Sequence, residues 1–229
     1  MLTVLSLLPV LLGALQCPSI RDPAVEPRLG CYIDQTPACP EDRPHCFGLH
    51  LHVAPGGREP AWVATGMEHA HKLFAPAQIG FQVVAVDAIG AEFNAVRTRY
   101  QRDIIGRKRF TTGVIHVFLV NRLDDVDVAD TEIRGVHWRQ RSNTDKRWVI
   151  LSRLGSQVVL GHELGHFFGL PHSRYPASVM NKKPRESPSW PERVFVPEEL
   201  EIVIHDRDLM RADAYLDALE PAARPNYSP

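Results

Sequence analysis

The chain has 229 residues, 44% of them hydrophobic and 23% charged, and its 26 Lys+Arg against 27 Asp+Glu leave a formal net charge of -1. That length and composition read as one globular domain with a real core. No basic tract is present to follow a phosphate backbone or an anionic membrane surface, so nucleic acid is excluded as the expected partner.

The first fifteen residues, MLTVLSLLPVLLGAL, form an apolar run of signal-peptide length that is too short to span a bilayer. They predict export, with residues 1–16 as the signal peptide and no transmembrane span; a buried N-terminal helix is the competing reading. Gln16 precedes Cys17, where a lipid-anchor signal wants a small residue, so a lipid anchor is not expected. Cys17, Cys31, Cys39 and Cys46 all lie in the Cys/Pro-rich segment 17–48. In an exported protein an even count predicts two disulfides, with all three connectivities open. The rival is a structural zinc site on Cys31, Cys39, His45 and Cys46, which lacks any CxxC pair.

GLHLHVA (48–54) alternates as a strand does, and AWVATGMEHAHKLFA (61–75) puts Trp62, Met67, Ala70, Leu73 and Phe74 on one helical stripe. His69 and His71 cannot share a helix face and are expected at the surface. The Val/Ile-rich runs 79–89, 113–123 and 147–154 predict three strands, and IRGVHWRQR (133–141), with alternating charge and Gly135, predicts an exposed edge strand. Asp124, Asp125, Asp127 and Asp130 crowd one loop; a structural calcium ion is conceivable, but the spacing fails the EF-hand pattern and a solvated loop is the expectation. A further helix runs from an N-cap at Ser156 to a C′ glycine at Gly169. The proline-rich stretch 181–197 reads as loop, 197–219 as a closing helix starting at Pro197, and 220–229 as a tail.

The chemistry concentrates in HELGHFFGLPH, residues 162–172. His162 and His166, four apart on a helix, project from one face and can hold one metal ion. Glu163 stands close enough to reach a water there without being a ligand, as a general base must. Gly169 permits positive φ, so the chain can double back and deliver His172 as a third ligand. Three neutral ligands leave a fourth position open, the mark of a catalytic zinc site. A bare HExxH arises by chance in roughly 3% of chains of this composition, and requiring Gly169 and His172 as well lowers that to roughly one in ten thousand. A merely structural helix is further disfavoured because two histidines and a glutamate make a poor buried face without a compensating ion.

The pattern HExxHxxGxxH resembles the signature of the metzincin clan of zinc endopeptidases. Members of that clan also carry a methionine turn beneath the zinc ligands, and SVMN supplies Met180, eight residues after His172. Ser173 and the step to Met180 are most similar to the matrixin branch, although a pappalysin-like or unclassified member fits nearly as well. RPHCFG (43–48) matches the matrixin latency switch only faintly, and the matrixin pattern of structural zinc and calcium ligands is absent from 120–148. The resemblance is specific over 162–181 and looser over 48–219.

The resemblance implies an α+β fold: a mixed twisted sheet with an edge strand over the cleft, an active-site helix, the Met-turn and a C-terminal helix. It implies a catalytic domain over 49–219, with an upper lobe at 49–172 and a lower lobe at 173–219. It also implies one catalytic zinc ion held by His162, His166 and His172, with Glu163 moving the proton during peptide hydrolysis and Met180 as a hydrophobic base. A peptide or protein substrate would lie extended along the edge strand. Some branches place an assisting tyrosine after the Met, where Asn181 and Lys182 stand here; Tyr175 is nearby in sequence. The alternatives are a catalytically idle zinc-stabilised peptide-binding protein, or a zinc hydrolase of a non-protein amide.

Overall fold

The structure, a computed structural model, describes residues 29–182, 188–189 and 192–219. The expected signal peptide, the question of Cys17, the tail and part of the proline-rich loop lie outside the described residues. The elements are α1 (Gly30–Gln35), β1 (His45–Val53), α2 (Pro60–Phe74), β2 (Ile79–Ala88), β3 (Ala95–Val96), α3 (Arg99–Arg107), β4 (Val114–Leu119), β5 (Arg122–Leu123), β6 (Gly135–Gln140), β7 (Asn143–Leu151), α4 (Val158–Phe167) and α5 (Pro197–Ala212). A five-stranded mixed sheet has the order β2-β1-β4-β7-β6, parallel except for the antiparallel edge strand β6. No helix among the described residues is long and apolar enough to cross a membrane.

Strand alternation divides the sheet into two apolar faces. Phe47, Leu49, Leu51, Ile115, Val117, Val149 and Leu151 pack with α2 and α4, joining Trp62, Met67, Phe74, Leu160, Leu164 and Phe167 in the larger core. Phe118, Trp148 and Ile150 point the other way, to a smaller cluster that includes Ile105 of α3. The helical stripe expected on α2 is buried as a set.

Several expectations change. His71 is buried, not at the surface: its Nε2 lies 2.8 Å from the Phe81 carbonyl and accepts the Phe81 N–H at 3.1 Å, tying α2 to β2. The N-cap of α4 is Gln157, one residue beyond Ser156, and makes no side-chain cap. Helix α3 was not anticipated in the polar run RTRYQRDIIGR, yet Thr98 and Gln101 close a capping box at its start. The Cys-rich segment contains the short helix α1, and β1 begins inside it at His45. β7 starts at Asn143 because only Arg141 and Ser142 separate it from β6. Helix α5 ends at Ala212, short of residue 219.

Cys39 and Cys46 form a disulfide and Cys31 is also disulfide-bonded. These bonds remove the thiolates needed for zinc on Cys31, Cys39, His45 and Cys46, and they close off a latency role for Cys46. The acidic loop does not converge into a cage. Asp124 pairs with Arg122, Asp127 pairs with Arg99, and Asp125 accepts the N–H groups of Asp127 and Val128.

Candidate metal centre

Helix α4 carries His162, Glu163 and His166. It ends as a Schellman turn: the Gly169 N–H donates to His166 O at 3.2 Å and the Leu170 N–H to Gly165 O at 3.0 Å. Gly169 sits at φ 87°, a conformation that strains residues with a side chain, and a β-carbon there would lie 2.2 Å from Asp206 Oδ2, which would have to shift. The reversal brings His172 back to the helix. Ring centroids are 4.8 Å apart for His162 and His166, 4.7 Å for His166 and His172, and 5.7 Å for His162 and His172. One ring nitrogen from each lies within 4.8 Å of the others.

The backbone sets how two of these rings are turned. His162 Nδ1 lies 2.8 Å from the Val179 carbonyl and His166 Nδ1 lies 2.6 Å from the Leu170 carbonyl. A neutral imidazole donating from Nδ1 carries its lone pair on Nε2, the tautomer a metal ligand needs. Burial holds His162 down at about 4, and burial likewise lowers His166 and the more exposed His172. Three converging neutral imidazoles are a donor set that fits zinc.

Glu163 is buried at the floor of the same cleft. Burial pushes its carboxyl up to about 8, against the opposing effects of the hydrogen bond from the His137 N–H and the charge of Arg102. The cleft encloses about 680 Å³, with α4 on one side and Ile133, Arg134, Gly135, Val136 and His137 of the edge-strand region on the other. Tyr175 is not among its lining residues; its carbonyl instead accepts a hydrogen bond from Asn181 at 3.0 Å.

Met180 is fully buried, and its turn is braced from α5. Ser178 Oγ donates to the Glu199 carboxylate at 2.8 Å and accepts the Met180 N–H at 2.9 Å. The same turn offers the Val179 carbonyl to His162, so the chain Glu199, Ser178, Met-turn, His162 is continuous.

Ser178 and Glu199 were not singled out in the sequence, and neither were Arg102 and His137. Ser178 and Glu199 sit 21 residues apart, with nothing local to link them. Arg102 reaches the cleft from α3, with its guanidinium over the Trp138 ring at 5.1 Å.

No protein-family model matches the chain, and no curated protein resembles it in sequence. Among solved structures, metalloproteinase-II from Bacteroides fragilis is similar with a TM-score of 0.52 and 11% identity, over 76% of this chain and 59% of that one. Archaemetzincin from Methanopyrus kandleri is similar with a TM-score of 0.42 and 18% identity, over 76% of this chain and 98% of that one. The first likeness shows the fold alone: a mixed α/β architecture with a five-stranded mixed sheet, shared with that structure.

Proposed function

We propose that the chain is a zinc-dependent endopeptidase of the metzincin type, nearest in spacing to the matrixin branch and working outside the cytosol. The observation that carries this reading is the meeting of His162, His166 and His172 beside buried Glu163 in a cleft walled by an antiparallel edge strand. The disulfide between Cys39 and Cys46 supports an oxidising compartment.

The zinc ion, when bound, supplies Lewis-acid charge to a scissile carbonyl and to a water. His162 and His166 would hold it through Nε2, oriented by Val179 and Leu170, and His172 would close the set from outside the helix. Glu163 would take the proton of the attacking water and pass it to the leaving amine; a carboxyl poised near neutrality can do both. A cation on the histidines favours its ionised form, which readies it as the base. An extended peptide would add along β6, main chain to main chain.

Purified full-length protein is expected to cleave an unfolded protein substrate, to lose that activity to a chelator and to regain it with zinc. Glu163→Ala should lower the rate by roughly 10²- to 10⁴-fold while zinc content is retained. An unchanged rate in that variant would overturn the enzymatic reading and leave a zinc-stabilised binding protein.

A further inference from the structure

The strand GLHLHVA contains His-x-His, and on a strand residues two apart face the same way. His50 and His52 therefore leave β1 on the face opposite α4, where His116 of β4 joins them. Ring nitrogens of His50, His52 and His116 lie within 4.8 Å of one another, as do those of the three histidines of the cleft. His52 Nε2 and His116 Nδ1 are 2.9 Å apart, and Asp87 of β2 places Oδ2 2.7 Å from His50 Nε2 and 3.7 Å from His52 Nδ1.

Hydrogen bonds within the cluster satisfy most of its ring nitrogens and leave one buried atom over. His52 is buried, stacked on Phe118 with centroids 4.5 Å apart, and its Nδ1 has no hydrogen-bond partner. A buried polar nitrogen left in that state costs stability unless a partner such as a cation compensates it. His116 is held from behind: its Nε2 lies 2.9 Å from the Thr111 nitrogen and 3.1 Å from the Thr111 carbonyl, so its Nδ1 faces His52. His50 and Asp87 reach solvent, which leaves an entry path.

We propose that His50, His52, His116 and Asp87 form a second metal site, for a divalent first-row transition ion of the zinc type. Three imidazoles and one carboxylate suit such an ion and not calcium or magnesium, which take oxygen ligands. With four protein donors the site is closed, as structural sites are, and it would join β1, β2 and β4. The sheet separates it from the cleft, so it does not depend on the protease reading.

The test is metal binding by the full chain, with Zn²⁺ for stoichiometry and Co²⁺ for its visible spectrum. The unaltered protein should bind two ions, and His50→Ala/Asp87→Asn, a change at solvent-reaching side chains, should bind one and keep its cleavage rate within about twofold. In a His162→Ala/His166→Ala background one ion should remain, giving a nitrogen-ligated Co²⁺ spectrum and a thermal midpoint raised by Zn²⁺. The proposal is overturned if that background binds no ion. It is equally overturned if the remaining ion is indifferent to His50→Ala/Asp87→Asn. Loss of cleavage in either protein bears on the first site only.

Discussion

Met180 packs directly against Gly165: a β-carbon on Gly165 would lie 2.6 Å from the Met180 sulfur and 3.2 Å from the Phe195 ring. The helix that carries the histidines thus rests on the methionine turn through a position where a side chain would press on Met180.

Gly165→Ala should separate packing from propensity. In an exposed helix the change would stabilise by about 1 kcal/mol. Here Met180 and Phe195 are both fully or nearly buried, and overpacking of this kind costs about 1–3 kcal/mol. A net loss of stability in urea denaturation is expected, and a gain would show that Met180 yields without cost.

Gly169→Ala should weaken the metal centre more than its distance from the ion suggests. A side chain at φ 87° is strained, and it would also displace the Asp206 carboxylate. Relief of that strain must move Leu170, whose carbonyl orients His166, and with it the return of His172. Zinc affinity, measured against a chromophoric chelator, should fall by about 10- to 100-fold. Unchanged affinity would break the link between the turn and the ligands.

Ser178→Ala removes the hydroxyl between Glu199 and the Met180 N–H. Glu199 keeps the Val196 N–H at 3.1 Å but loses its partner on the turn. A buried acceptor left short costs about 1–3 kcal/mol. The denaturation midpoint should drop, and zinc affinity should drop with it because Val179 holds His162 from the same turn. A stability loss with affinity unchanged would make the brace purely structural.

Asp103 links α3 to the edge strand and should make stability fall in acid. Burial opposes its ionisation, but hydrogen bonds from Trp138 Nε1 at 2.9 Å and from Arg141 Nε at 2.8 Å more than offset that and hold its carboxyl below the usual range. Because the folded value is depressed, the contribution is complete above the unfolded value of about 3.9 and is lost as pH falls through the folded value. Asp103→Asn should cost about 1–3 kcal/mol at neutral pH and nearly nothing at the acid limit. Parallel pH profiles for the two proteins would show that Asp103 is not the group responsible.

The sequence by itself determined what periodicity and local chemistry control. The stripe on α2, the edge strand, the span of α4 and the turn at Gly169 follow from residue spacing and backbone freedom, and so does the meeting of His162, His166 and His172 within eleven residues. Helix α3 escaped because its run is polar, although the Thr98 and Gln101 cap was there to be read. His71 escaped because burial is decided by what packs above a residue, and β2 is what covers it.

Only the tertiary structure decided the rest. It joined Cys39 to Cys46, placed Ser178 on Glu199, set the His137 N–H on Glu163 and gathered His116 and Asp87 around the His-x-His of β1. These partners are separated by anything from a few residues to sixty-four, and no local pattern pairs them. They meet because parallel strand order, and the helices packed on each face, bring distant side chains to one place.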